Sequence, residues 1–366
     1  MKNKKVAIAV SGGVDSSVSA KLLKDNGYDV IGIHMHLGFE NEAAEKAAKE
    51  VCEFLDIDFV VEDISESFKK EVIDYFVDSY KKGLTPNPCV KCNKAIKFGV
   101  LLDAAKKHGA DFLATGHYLQ KKYSKNIIVH NLYKFLVQYF NLKKEHKLLV
   151  SKDSFKDQTY FLYNLNQEIL NKIMFPVGNY KKPKIKKIAK KANLPTLKQE
   201  SQDICFLSGD HNIFLKEHLE EDPGPIKKLS GEEIGQHNGL YFYTIGQRRG
   251  IDIGGSGPYY VAKLDYKNNI LYVVNEWNHE VLYKKELIAK DLNFLKDSEP
   301  STPYSCQAVI RYGHAPVECR VYKNDKGEGY KVVFKEKQRA ITIGQSIVFY
   351  QGRELIGGGV IDIDEG

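Results

Sequence analysis

With 366 residues, 43% of them hydrophobic, the chain is long enough to bury more than one core, and two or three domains are expected. No apolar run approaches the ~20 residues of a membrane span. The run after Lys5 is too short for the apolar core of a signal peptide, so no membrane association and a cytoplasmic location are expected. The formal charge of +7 leans toward acidic partners, and six cysteines in a chain with its own core argue against a disulfide scaffold.

The first 116 residues alternate strand and helix patterns. Strands are predicted at 6–10, 30–35, 59–61 and 112–115, and helices at 15–26, 41–54, 64–82 and 93–108. This order predicts a parallel sheet covered on both faces, with ligands bound at the carboxyl ends of its strands. The first strand breaks into Ser11-Gly12-Gly13-Val14-Asp15-Ser16-Ser17. Paired glycines before a helix leave backbone N–H groups free for a phosphate, serines add donors, and Asp15 has the oxygen chemistry for Mg²⁺. An ordinary strand-to-helix turn capped by Ser and Asp has the same local sequence. Met35 and Gly116 fall at later strand ends and border the same crevice.

Next comes Thr85-Pro86-Asn87-Pro88-Cys89-Val90-Lys91-Cys92-Asn93-Lys94, read as a proline-stiffened loop that delivers two cysteines to a helix start. There Lys91, Lys94 and the helix dipole favour thiolate. The Cys-x-x-Cys spacing fits a redox pair or half a zinc site, but the chain offers no second half for zinc. From 118 to 150 the pattern blurs: 127–130 and 148–150 look like strands, and 132–147 fits an amphipathic helix. Residues 161–192 read as helical with a break at Pro176-Val177-Gly178. The lysine-rich stretch 181–191 within them is a solvated helix face or part of a phosphate-binding stripe with Lys198, Arg248, Arg249 and Arg311. Cys205 stands in a polar segment, whereas Cys52, Cys306 and Cys319 read as small core residues. Beyond Pro223-Gly224-Pro225 short apolar runs separated by turn residues signal all-β structure.

The motifs in this order resemble the tRNA-specific 2-thiouridylases, the MnmA family. They are Ser11-Gly-Gly-Val-Asp-Ser16, Thr85-Pro-Asn-Pro88 with Cys92-Asn-Lys-Ala-Ile-Lys-Phe98, and Ala114-Thr-Gly-His-Tyr118. They continue with Lys156-Asp-Gln158, Tyr160-Phe-Leu-Tyr163, Glu200-Ser-Gln-Asp-Ile-Cys-Phe206, Thr244-Ile-Gly-Gln-Arg248 and Arg311-Tyr312. The resemblance implies an α/β fold class: a parallel-sheet PP-loop ATP pyrophosphatase domain over 1–210, a small central β domain over 211–280 and a C-terminal β-barrel over 281–366. It assigns ATP to Ala9, Val10, Ser11, Gly12, Gly13, Val14, Asp15, Ser16, Met35 and Gly116, with Mg²⁺ on Asp15. Cys92 becomes the nucleophile and Cys205 the persulfide carrier. Asn87, Pro88 and Cys89 lie beside the target base, and Lys156, Asp157, Gln158, Arg311 and Tyr312 against tRNA.

The implied reaction is 2-thiolation of the wobble uridine at position 34 in Lys, Glu and Gln acceptors. The C2 oxygen is adenylated, and sulfur then replaces AMP, with a cysteine desulfurase or sulfur-relay protein as donor and a monomeric enzyme. Both sulfur routes, persulfide attack or released sulfide, end in a Cys92–Cys205 disulfide. Two features depart from the family pattern. Cys89 stands where many members carry Asp, and the stretch 118–156 is longer, with 132–147 expected as an added surface helix without catalytic duty. Two other readings stay open: a PP-loop adenylating ligase acting on a small molecule, and a non-catalytic tRNA-binding or sulfur-carrier protein.

Overall fold

The computed structural model describes residues 4–39, 42–123, 145–197, 204–207, 209, 211–251, 253–254, 257–296, 298–325 and 327–362. The first unit is built on β1 (Lys5–Ala9), β2 (Asp29–His36), β3 (Asp58–Asp63) and β4 (Phe112–Ala114). All pair in parallel, in the order β3-β2-β1-β4. Val6, Ala7, Ile8 and Ile33 are fully buried, as strands covered on both faces require. Helices Val14–Asp25 and Glu42–Phe54 follow β1 and β2 within one or two residues of their predicted bounds.

The helix over 65–81 joins the first unit to the next through residues four apart. Phe68 and Val72 pack in a cluster with Cys92, and Phe76 and Tyr80 enter the core of the central sheet. That spacing lines one helix face, so a single apolar stripe serves two cores.

The helix expected to start at Asn93 starts at Pro88 and runs to 107, with a π-helical stretch at Asn93–Val100. Pro88 fixes φ in the first turn, and the Asn87 side chain accepts the Val90 N–H at 3.4 Å as N-cap. Both cysteines therefore lie inside the helix, not in the loop ahead of it.

β5 (Leu119–Tyr123) and β6 (His146–Val150) form an antiparallel pair. His146 and Lys147 are strand residues, which corrects the end of the helix read over 132–147. Glu145 is outside any helix as well, and residues 132–144, with the strand read at 127–130, lie outside the described residues. The helical reading of 161–192 also breaks up into helix Gln167–Lys172, edge strand β7 (Ile173–Met174) beside β4, and helix Lys182–Lys191.

The central sheet comprises β8 (Gly224–Lys228), β9 (Glu233–His237), β10 (Tyr260–Asp265) and β11 (Ile270–Val274), in the order β10-β11-β8-β9. Six further strands follow: β12 (Tyr283–Phe294), β13 (Tyr304–Val309), β14 (Val317–Lys323), β15 (Tyr330–Arg339), β16 (Ser346–Gln351) and β17 (Glu354–Asp362). Their order β12-β15-β14-β13-β16-β17 closes through β12–β17 into an antiparallel barrel. β6 pairs with the start of β17, so the excursion from the first unit extends the barrel sheet. Cys306 and Cys319 face each other across β13 and β14, with sulfurs 3.6 Å apart in the barrel core. Cys52 is buried beneath Gly32, which agrees with its reading as a core residue.

Candidate active site

The loop after β1 is shaped by two close approaches. Gly12 has φ +71°, and a Cβ there would lie 2.9 Å from the Ala44 carbonyl oxygen and 2.7 Å from Ala47 Cβ. Only glycine fits that backbone at that distance. Gly116 stacks on the first helical turn: a Cβ there would meet the Ser16 amide nitrogen at 2.9 Å and the Asp15 carbonyl carbon at 3.0 Å. Gly13 is the N-cap without a side-chain cap, so the helix opens with its amides toward the crevice.

Ser16 donates to the Gly13 carbonyl at 3.0 Å and lies 3.3 Å from the Ser11 hydroxyl. His34 Nδ1–H donates to the Val10 carbonyl at 2.9 Å, fixing the strand end above which the loop turns. Ala9 and Val10 form that end, and half-buried Met35 lies one residue beyond His34 on β2.

Asp15 is already engaged. Its Oδ1 accepts the Tyr118 hydroxyl at 2.6 Å, and its Oδ2 lies 2.7 Å from Lys182 Nζ. Asp15, expected on Mg²⁺, is thus paired with Tyr118 and Lys182, residues more than 100 positions away that no local pattern links to it. Among the described residues there is no group of three or more His, Cys, Asp or Glu able to hold a metal. One carboxylate beside serine hydroxyls fits Mg²⁺, which takes one or two protein carboxylates and completes its shell with phosphates and water.

The surroundings of Cys92 are apolar. Cys92 shares a cluster with Ile64, Phe68, Val72 and Ile96, against which Met35 and Phe206 also pack. Phe206, adjacent to Cys205, makes edge contacts with Phe68 at 5.9 Å and Phe76 at 5.5 Å. Cys205 itself is exposed, and both cysteines are free thiols. Cys89 lies one turn before Cys92 on the same helix.

Burial pushes the Cys92 thiol up to about 12; Lys97 opposes the shift, and Cys205 and Cys89 add to it. Desolvation raises the Cys205 thiol as well, and Lys97 opposes the shift. The expectation that Lys91, Lys94 and the helix dipole favour a thiolate is therefore corrected. Lys91 is tied to Glu71 at 3.0 Å, Lys94 points to solvent, and Cys92 lies at the far end of the opening α-helical turns. The cation that acts on both thiols is Lys97, one turn further on.

The residues expected against tRNA fall into two groups. Asp157 and Gln158 have internal duties: Asp157 accepts the Ser151 N–H at 2.7 Å, and Gln158 accepts the Tyr118 N–H at 2.9 Å. Lys156 is exposed, and Phe155 beside it is 95% exposed, an aromatic that the sequence reading passed over. Its signal was its place next to Lys156-Asp157-Gln158.

Arg311 and Tyr312 reach the first unit from the barrel. The Tyr312 ring lies 4.5 Å from that of Phe161, whose carbonyl accepts Asn93 Nδ2–H at 3.2 Å, next to Cys92. Asn93 Oδ1 is buried with no hydrogen-bond partner among the described residues. Asn87 bonds the Tyr160 hydroxyl, and Arg311 acts on the same group.

The loop ahead of Pro88 is held by both β units. Thr85 N–H donates to the Ile343 carbonyl at 2.9 Å, Gln345 Nε2 donates to the Thr85 carbonyl at 3.0 Å, and the Thr85 and Thr244 hydroxyls are 3.2 Å apart. Lys181, Lys184, Lys186, Lys187, Lys190 and Lys191 are exposed, as are Arg248 and Arg249. Lys198, like 200–203 of the Cys205 motif, lies outside the described residues.

Three family models match in succession: the tRNA methyl transferase HUP domain over 4–209, the tRNA methyl transferase PRC-barrel domain over 212–275 and the aminomethyltransferase beta-barrel domain over 284–361. The chain is 42% identical over 369 residues to the tRNA-specific 2-thiouridylase MnmA 2 of Clostridium botulinum (strain Hall), covering 98% of each. It is 41% identical over 373 residues to the tRNA-specific 2-thiouridylase MnmA of Protochlamydia amoebophila, covering 99% of this chain and 94% of that one. Against the enzyme of the same name from Oceanobacillus iheyensis it is 42% identical over 377 residues, covering 99% and 96%.

Proposed function

Because the chain belongs to the family of tRNA-specific 2-thiouridylases, we propose that it uses ATP to replace the C2 oxygen of the tRNA wobble uridine with sulfur. The observation that carries the reading is the link between two chemistries: β2 runs beside the strand that ends in the amide-lined loop Ser11–Ser17, and Met35 near its end packs against the cluster around Cys92.

A carbonyl oxygen of a pyrimidine is a very poor leaving group. Adenylation makes it the oxygen of AMP and releases diphosphate, and the residues from Ala9 to Ser16 with Met35 and Gly116 form the cradle for that step. Mg²⁺ held by Asp15 would screen the phosphate charge. Lysine and arginine on the basic helix and barrel provide for phosphate contacts, with Asn87, Pro88 and Cys89 beside the base.

Cys205, exposed, suits loading with sulfur as a persulfide by a cysteine desulfurase or relay protein. Cys92, buried, suits attack that begins only when tRNA fills the crevice. Transfer leaves a Cys92–Cys205 disulfide, which an external dithiol reopens with two electrons and two protons. The tRNAs are those reading Lys, Glu and Gln codons. The three units act as one monomeric enzyme in the cytoplasm, divided at about 210 and 280; among the described residues no helix is long and apolar enough to cross a membrane.

The test is mass spectrometry of unmodified tRNA incubated with ATP, a persulfide donor and the purified protein. Wild type yields 2-thiouridine, and Cys92→Ser and Cys205→Ser yield none. Full thiolation by either variant overturns the assignment. A small-molecule ligase would instead release AMP without tRNA.

A further inference from the structure

Lys182 sets itself apart within the most basic stretch of the chain. Of the seven lysines between 181 and 191 it is the buried one, 8% exposed, while the other six face solvent. It opens the helix Lys182–Lys191, whose Ile185 and Ala189 pack in one core with Val18, Ala20 and Leu23 of the first helix. Its backbone N–H donates to Asp153 Oδ2 at 2.8 Å, which anchors the root of the side chain. Its Nζ lies 2.7 Å from Asp15 Oδ2 and 5.9 Å from the centre of the Tyr118 ring.

We propose that Lys182 is a phosphate-binding residue of the nucleotide site, paired with Asp15 until a triphosphate arrives. The inference rests on the reading of Ser11–Ser17 as the ATP loop. An ammonium taken out of water requires a counter-charge, and Asp15 supplies it. The same carboxylate, in the first turn of the helix that opens the site, repels phosphate oxygens as long as no cation stands between.

A triphosphate with Mg²⁺ resolves both demands by exchange. Asp15 would hold the metal from the place it already occupies, and the Lys182 ammonium, released on its flexible four-carbon stem, would take the phosphate oxygens as new counter-charge. Tyr118, hydrogen-bonded to the other carboxylate oxygen, keeps Asp15 in place during the exchange. Leu197, beyond the helix, donates its N–H to the Gly12 carbonyl at 3.0 Å, so the segment carrying Lys182 also closes on the loop itself.

The experiment is equilibrium binding of ATP and of adenosine to the full chain, for wild type, Lys182→Met and Lys182→Arg. The expected result is a 10- to 100-fold loss of ATP affinity in Lys182→Met, adenosine affinity within twofold of wild type, and recovery of most of the ATP affinity in Lys182→Arg. Equal weakening of ATP and adenosine would mark Lys182 as a structural tie and overturn the proposal, as would unchanged ATP affinity.

Should Lys182→Met fail to fold, Asp15→Asn gives the second arm. It frees the ammonium, so Mg²⁺-free ATP binding should tighten severalfold, and no change overturns the proposal. A wild-type protein that binds no ATP would instead refute the loop reading on which the proposal rests.

Discussion

The glycine loop after β1 and the cysteine helix are prepared in opposite ways. At the loop the polar groups are already placed: serine hydroxyls bond within the turn, Asp15 holds two partners, and glycines stand at 12 and 116, where a Cβ would lie within about 3 Å of neighbouring atoms. At the helix the reacting group is withheld, because Cys92 is buried among apolar side chains with its thiol raised to about 12. Activation of oxygen needs rigid donors aimed in advance. A Cys92 thiolate exposed before the substrate arrives would be lost to side reactions, so protonation by burial suits its part in the sulfur step, while Cys205 stays exposed for loading.

The largest effect is expected at the rigid side. Gly116→Ala drives a Cβ into the first helical turn, and ATP affinity should fall by two orders of magnitude or more in direct binding measurements while the far-ultraviolet dichroism stays folded. Retained affinity would show that the loop is more yielding than its contacts suggest.

On the sulfur side, iodoacetamide labelling of Cys92 should rise about tenfold per pH unit from 7 to 10 without a plateau, because the thiolate fraction grows until pH reaches a pKa of about 12. A plateau near pH 8 would mean that the helix already stabilises the thiolate. Lys97→Met should slow that labelling further, by severalfold, since Lys97 is the cation opposing the shift.

A smaller effect is expected where the barrel holds the loop: Gln345→Ala removes two hydrogen bonds to the Thr85 and Pro86 carbonyls. It should raise KM for tRNA by roughly 10- to 30-fold with ATP affinity unchanged, in line with about 1 kcal/mol per bond. Smallest is Phe155→Ala, for which base stacking predicts a three- to tenfold weaker Kd for tRNA, corresponding to ~1 kcal/mol.

The parallel sheet was legible in the sequence because its strands are continuous apolar runs and its helices end at recognisable turns, as at Asn26-Gly27. The loop Ser11–Ser17 was legible for the same reason. The start of the cysteine helix was misread because Pro-Asn-Pro looks like a loop, yet Asn87 and Pro88 are good N-cap and first-turn residues.

The protonation of Cys92 could not be read locally. It depends on Phe68, Val72 and Ile96 packing around the sulfur, whereas the adjacent lysines point elsewhere. Lys182 was hidden among six solvent-facing lysines; only packing of Ile185 and Ala189 shows which lysine turns inward. The pairing of β6 with β17 joins residues some 200 positions apart, and no local pattern announces it.

The central claim is that the loop activates oxygen before the cysteines deliver sulfur. It is tested most directly by following diphosphate release and 2-thiouridine formation together in Cys92→Ser with ATP and unmodified tRNA. The account predicts a first-turnover release of diphosphate that depends on tRNA, with no thiolated base. Thiolated product from that variant, or diphosphate release that ignores tRNA, would contradict it.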